Sequence, residues 1–129
     1  MKSLGLMWKS FYHYGMDDKL EGFNFNHIYV KKTEDEEHLK HLYCIFSPTD
    51  YLCGHPEIQH GGATATIIDQ NMGYLAALHS HEIVATSKLS IEYKKPVKKD
   101  QYYVLEVEVE NKDGRKIYLN GKIKDIETG

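Results

Sequence analysis

The stretch His60-Gly61-Gly62-Ala63-Thr64-Ala65-Thr66-Ile67-Ile68-Asp69-Gln70-Asn71-Met72-Gly73-Tyr74-Leu75-Ala76-Ala77-Leu78 decides how this chain folds. Between Ala63 and Leu78 a single residue, Asp69, is charged. The run is too long for a buried strand and has no turn signal beyond Gly73, so it predicts a helix over 63–78. Apolar residues lie on nearly every side of that helix, which therefore needs protein around it rather than a berth on a surface.

The flanking sequence supplies the cover. Downstream, Leu89, Ile91 and Tyr93 alternate with Lys88, Ser90, Glu92 and Lys94, and Leu105, Val107 and Val109 alternate with Glu106, Glu108 and Glu110. Ile117, Leu119, Gly121 and Ile123 alternate in turn with Tyr118, Asn120, Lys122 and Lys124. Each stretch predicts a strand with one wet face, the pattern of an antiparallel sheet, and Asp113-Gly114 predicts a hairpin between the last two. Upstream, Phe23–Thr33 and His38–Phe46 read as strands, Glu34–Glu37 as a solvated acidic turn, and Ser47–His60, with Pro48, Gly54 and Pro56, as a loop. Leu4, Met7, Trp8, Phe11 and Tyr12 form the stripe of an amphipathic helix over 3–14, with Ser3 and Gly15 at its ends. A sheet with one apolar face and a helix apolar all round are both satisfied if the sheet curls about the helix. The expected class is α+β: one curved antiparallel sheet around one central helix in residues 23–129, behind an N-terminal helical extension in 1–22.

Composition removes several functions. The chain has 129 residues, 41% of them apolar, enough for one small core. Sixteen Lys and Arg against nineteen Asp and Glu give a net charge of -3, which argues against a nucleic-acid surface. No apolar run exceeds five residues, as in Leu42–Phe46 or Tyr74–Leu78, whereas a membrane span needs about 20. Cys44 and Cys53 make no CxxC pair and fit thiols in a reducing compartment, expected to be the cytoplasm, or the mitochondrion if a presequence has been removed. The eight histidines are scattered and show no metal-binding spacing, so no metal is expected.

Two features carry chemistry. His60-Gly61-Gly62 leads into the helix, whose first-turn N–H groups are unsatisfied donors at the positive end of its dipole. They can hold an anion, or a carbonyl oxygen that becomes one; equally, the glycines can serve only to let the chain turn closely. Asp69 has Ala65, Thr66, Met72 and Gly73 as its helical neighbours, and a carboxylate there faces a cleft or carries a desolvation cost. That marks it as a candidate general base or nucleophile, with a structural acid as the plainer reading.

Tyr51-Leu52-Cys53-Gly54-His55-Pro56-Glu57-Ile58-Gln59-His60-Gly61-Gly62 and the helix through Asp69 and Gly73 resemble the HGG-helix signature of hotdog-fold acyl-CoA thioesterases. The likeness continues through Ala85-Thr86-Ser87-Lys88-Leu89-Ser90-Ile91-Glu92-Tyr93-Lys94-Lys95-Pro96-Val97 and Gly114-Arg115-Lys116, covering about residues 25–129. It is similar to the branch holding the human thioesterase superfamily members 4 and 5 and, more distantly, to the phenylacetate-pathway enzymes. The resemblance implies hydrolysis of a fatty or aryl acyl-CoA to free acid and CoA, within lipid metabolism, by a homodimer or dimer of dimers joined edge to edge. It needs no cofactor beyond the coenzyme A carried by the substrate.

On that pattern the Gly61 N–H polarises the thioester carbonyl with His60 beside it, Asp69 of the partner subunit is base or nucleophile, and Thr86 orients water or the acid. Gly62 would border the substrate. Lys94, Lys95, Arg115 and Lys116, with Lys98 and Lys99 near the first pair, would meet the coenzyme's phosphates. Two departures stand out. Gly54 occupies the position where the phenylacetate-type enzymes carry Asn, and the sequence ends at Glu127-Thr128-Gly129, where the family pattern adds a final strand. The alternatives are a module that binds acyl-CoA without turnover and an acyl dehydratase using His55 and Asp69.

Overall fold

A computed structural model describes residues 23–31 and 38–129. The predicted helix over 3–14, the extension 1–22 that contains it and the acidic turn at 34–37 lie outside them. The elements run β1 (Phe23–Val30), β2 (His41–Pro48), β3 (Cys53–His55), β4 (Ile58–Gln59), α1 (Gly61–Ser80), β5 (Tyr103–Asp113) and β6 (Lys116–Asp125). The main sheet is antiparallel with the order β1-β2-β5-β6, so the long excursion between β2 and β5 carries the helix across one face.

Alternation decides which face. Register aligns Ile28, Cys44, Leu105 and Ile123 in one row across the sheet, and Val30, Leu42, Val107 and Gly121 in the next. Leu42, Cys44, Phe46, Tyr103, Leu105 and Val107 are buried against Ile67, Ile68 and Leu75 of α1. Tyr29, Tyr43, Glu106 and Lys122 form a row of opposite parity, on the outer face. This is the hotdog arrangement, with the sheet curled about a central helix. At Gly121 the approach is close enough to exclude a side chain: a Cβ there would stand 2.8 Å from the Met72 methyl and 3.3 Å from the Glu106 carbonyl oxygen.

Helix α1 extends the predicted span by two residues at each end. Its C-terminus is held by two histidines. His79 Nδ1–H donates to the Leu39 carbonyl at 3.0 Å, and His38 Nδ1–H to the His79 carbonyl at 2.9 Å. The β5–β6 hairpin turns through Gly114 at φ 59, a left-handed conformation that glycine takes without steric cost. The loop at 47–60 folds back into the small β3–β4 hairpin, which residues 97–99 join through Gln59 N–H to Val97 O and Lys99 N–H to Glu57 O.

One expected strand differs. Residues 88–94, for all their alternation, form no ladder among the described residues. The segment runs antiparallel along α1, Thr86 beside Asp69 and Tyr93 beside Gly61, and leaves Leu89 and Tyr93 exposed. Alternation marks a two-faced segment, but a strand also needs a hydrogen-bonding neighbour, and the main sheet offers none here.

Leu105 lies at the centre of the buried rows and is fully covered. Leu105→Ala should lower unfolding free energy by about 2–5 kcal/mol, seen as a reduced urea midpoint at unchanged slope. A loss well below 1 kcal/mol would contradict this placement of the core.

Candidate active site

At the head of α1 the backbone sorts its own donors. His60 is the N-cap, and its carbonyl accepts from the Ala63 and Thr64 amides at 2.9 and 3.1 Å. Its side chain accepts the Gly62 amide at Nδ1, also at 2.9 Å. Among the described residues the Gly61 N–H has no partner, so it is the first-turn donor still available to an external oxygen. Gly62, expected to border the substrate, has its amide committed to His60.

That bond also fixes the imidazole. Because Nδ1 accepts, neutral His60 carries its proton on Nε2 and presents a donor there. Two glycines make room for the ring. A Cβ on Gly54 would stand 2.9 Å from His60 Cδ2, and one on Gly62 would stand 3.1 Å from Nδ1. Gly54 thus has a physical reason to lack a side chain in a chain that uses this histidine conformer. Beneath the turn, buried Gln59 Nε2–H donates to Thr64 Oγ1 at 2.6 Å and braces the helix start.

Asp69 is half-buried two turns further along, on the side of α1 away from the sheet. Thr86 Oγ1–H donates to Asp69 Oδ1 at 2.6 Å, which joins two of the candidate residues and leaves Oδ2 without a described partner. The eight-residue step from Gly61 to Asp69 spans about 12 Å of helix, beyond the reach of one thioester carbon and its attacking water. Residues 86–93 lie along α1 between these two points, and the helix surface opens one turn beyond Asp69, where nothing lies within 4 Å of a Cβ built on Gly73. A groove of about 250 Å³ on the outer sheet face, lined by Tyr43, Glu106 and Lys122 among others, touches none of these residues.

The expected cations divide into separate places. Lys94 and Lys95 follow Tyr93 near the head of α1, and both are exposed, with Lys94 3.9 Å from Glu92. Lys99 instead binds Asp50 at 2.7 Å, and this hydrogen bond, with the charge attraction behind it, raises its pKa. Arg115 and Lys116 are at the tip of the β5–β6 hairpin, the opposite end of β5 from Tyr103, whose hydroxyl accepts the Lys98 amide. The two cation groups therefore do not converge within one chain.

His55 stands exposed at the end of β3, with no described contact to Asp69 within the chain. Burial, and after it the Asp50 carboxylate, push the Cys53 thiol up, which disfavours a thiolate nucleophile. The described residues contain no cluster able to hold a metal ion and no helix long and apolar enough to cross a membrane.

Sequence reasoning missed Tyr93 and Gln59. Tyr93 reads as one more apolar-face strand residue, yet its hydroxyl donates to the Gly61 carbonyl at 2.8 Å. The crossing of segment and helix that brings them together has no periodic signature.

Comparison with known proteins gives the family to which this fold belongs. The family model described as thioesterase superfamily matches residues 57–129. The acyl-coenzyme A thioesterase THEM4 of Rattus norvegicus is 34% identical over 108 residues, 83% of this chain and 44% of that protein. The acyl-coenzyme A thioesterase THEM5 of Homo sapiens is 30% identical over 103 residues, 79% of this chain and 39% of that protein. The chain thus spans less than half the length of these curated relatives. Among solved structures, a thioesterase superfamily protein superposes with TM-score 0.62 at 26% identity, covering 69% of this chain and 43% of that one. Zebra fish thioesterase superfamily member 2 gives TM-score 0.66 at 16% identity, covering 79% of this chain and 72% of that one, a likeness of fold.

Gly54→Ala tests the packing of the histidine. The added methyl is expected to swing the imidazole off the Gly62 amide and to cost about 1–3 kcal/mol of stability. An unmoved Gly62 amide proton resonance with unchanged urea stability would show that Gly54 leaves the ring free.

Proposed function

The chain belongs to the thioesterase superfamily, and from that premise we propose that it hydrolyses acyl-CoA thioesters at a site built from two copies of the chain. One observation carries the reading: the free Gly61 amide and the Thr86-held carboxylate of Asp69 sit on one helix, too far apart to serve one carbonyl. A second copy laid antiparallel against residues 83–95 and the open surface of α1 at Gly73 brings the acid of each to the amide of the other. Residues 83–95 favour that assembly, since among the described residues they have no ladder partner and they expose Ile83, Leu89 and Tyr93. Pairing this segment with its equivalent in the partner satisfies the backbone and covers the apolar side chains.

The chemistry then follows from the residues. The thioester carbonyl oxygen accepts the Gly61 N–H, which strengthens its hold as charge develops there, and His60 Nε2–H lends a second donor. Asp69 of the partner subunit removes a proton from water as it attacks, or attacks the carbonyl carbon itself to form an anhydride that water opens. Either way the carbon–sulfur bond breaks, the acyl group leaves as carboxylate, and the thiolate of CoA takes up a proton. Thr86 fixes the acid by donating to one of its oxygens. Lys94 and Lys95 from one subunit, and Arg115 and Lys116 from the other, supply positive charge for the coenzyme's phosphates. The curated relatives' names, acyl-coenzyme A thioesterase, support an acyl-CoA as substrate, which on this reading is fatty or aryl and is cleaved with no resident cofactor. The compartment on this reading is a reducing one, the cytoplasm or the mitochondrion.

Release of CoA from a panel of acyl-CoAs tests the reading. Asp69→Asn is expected to lower kcat by about 10²–10⁴-fold with acyl-CoA binding retained. Binding without release by the wild type would make the protein a carrier, and His55-dependent hydration of an enoyl thioester would make it a dehydratase.

Shared sites make a sharper test. Asp69→Asn and His60→Ala subunits, each inactive alone, should regain about a quarter of wild-type activity when randomly mixed as dimers, because each hybrid holds one intact site. No recovery in hybrids shown to have formed would place both groups in the same subunit's site.

A further inference from the structure

We propose that Tyr93 is a positioning residue for this site, setting the imidazole of His60 through a single peptide group. Only the kinetic half of the proposal rests on the hydrolase reading. The Tyr93 hydroxyl donates to the Gly61 carbonyl at 2.8 Å, and the Gly62 amide donates to His60 Nδ1 at 2.9 Å. That carbonyl and that amide are the two ends of one planar unit, the Gly61–Gly62 peptide. Phenol at one end and imidazole at the other hold the plane against rotation, which matters between two glycines with no side chains to restrict it. With the plane held, Nδ1 remains an acceptor and the Nε2 proton faces outward. The chain of donors is Tyr93 O–H to Gly61 C=O, then Gly62 N–H to His60 Nδ1, with Nε2–H left for the substrate oxygen.

The ring takes part as well. Its Cζ stands 3.6 Å from the Cβ position of Gly61, so the tyrosine borders the side from which an acyl group meets the free Gly61 amide. Packing within one copy does not account for this residue, because Tyr93 is 56% exposed there. Tyr103 is the contrast: it is buried and spends its hydroxyl on the Lys98 amide and the Gln101 side chain, as a structural tyrosine does. Covering apolar surface would need only a phenyl ring at 93, whereas the observed geometry uses the hydroxyl.

Tyr93→Phe keeps the ring and removes the donor. In the wild type, the ¹⁵N resonances of His60 should report an unprotonated Nδ1 and a protonated Nε2. In Tyr93→Phe they should move toward the average of exchanging tautomers. On an acyl-CoA that the wild type hydrolyses, kcat should fall about three- to tenfold with KM within about twofold, the loss expected of one hydrogen bond acting on the reacting state. Tyr118→Phe, at a similarly exposed tyrosine on the outer sheet face, should change neither quantity. Unchanged ring resonances overturn the proposal whatever the kinetics show. A shifted tautomer with unchanged kcat overturns it as well, since the reaction would then not use what Tyr93 sets. If the wild type releases CoA from no thioester, the hydrolase reading fails and the ring resonances alone decide whether Tyr93 positions His60.

Discussion

Burial of α1 against the rows Leu42–Val107, Cys44–Leu105 and Phe46–Tyr103 is the contact on which the rest of the molecule depends. It turns a flexible excursion between β2 and β5 into a rigid rod, and a rod fixes distances. Gly61 and Asp69 cannot approach one another within the chain, so on the proposed reading a second copy joins them. The same contact leaves the opposite side of α1 to residues 83–95, which stretch along it.

The sequence made the centre of the fold legible and the periphery much less so. Helix and hairpin announce themselves by length, charge pattern and the turn at Asp113-Gly114, all of them local properties. Residues 88–94 show the limit: Leu89, Ile91 and Tyr93 have the right spacing, but spacing cannot report whether a neighbouring backbone is present. Arg115 and Lys116 show it again. They read as partners of Lys94 and Lys95, yet β5 and β6 run their full length before turning, which carries that pair to the far end. Asp69 and Thr86 could be paired only through the family resemblance, because nothing local joins a helix residue to a loop residue seventeen positions on.

Histidine is used here in two opposite ways, and the backbone decides which. At the tail of α1, His38 and His79 face carbonyls and must donate from Nδ1. At its head, His60 faces an amide and must accept there. One side chain thus closes the acceptor-rich end of a helix and serves the donor-rich end, and the direction of the rod assigns the tautomer.

The first turn of α1 has a further electronic consequence. The His60 carbonyl, which accepts both the Ala63 and Thr64 amides, belongs to the same peptide group as the free Gly61 N–H. Two donors on that oxygen draw electron density out of the amide and make its remaining hydrogen more acidic. Amides that have turned inward and are lost to any ligand therefore still act on it, by induction through the one bond left pointing out.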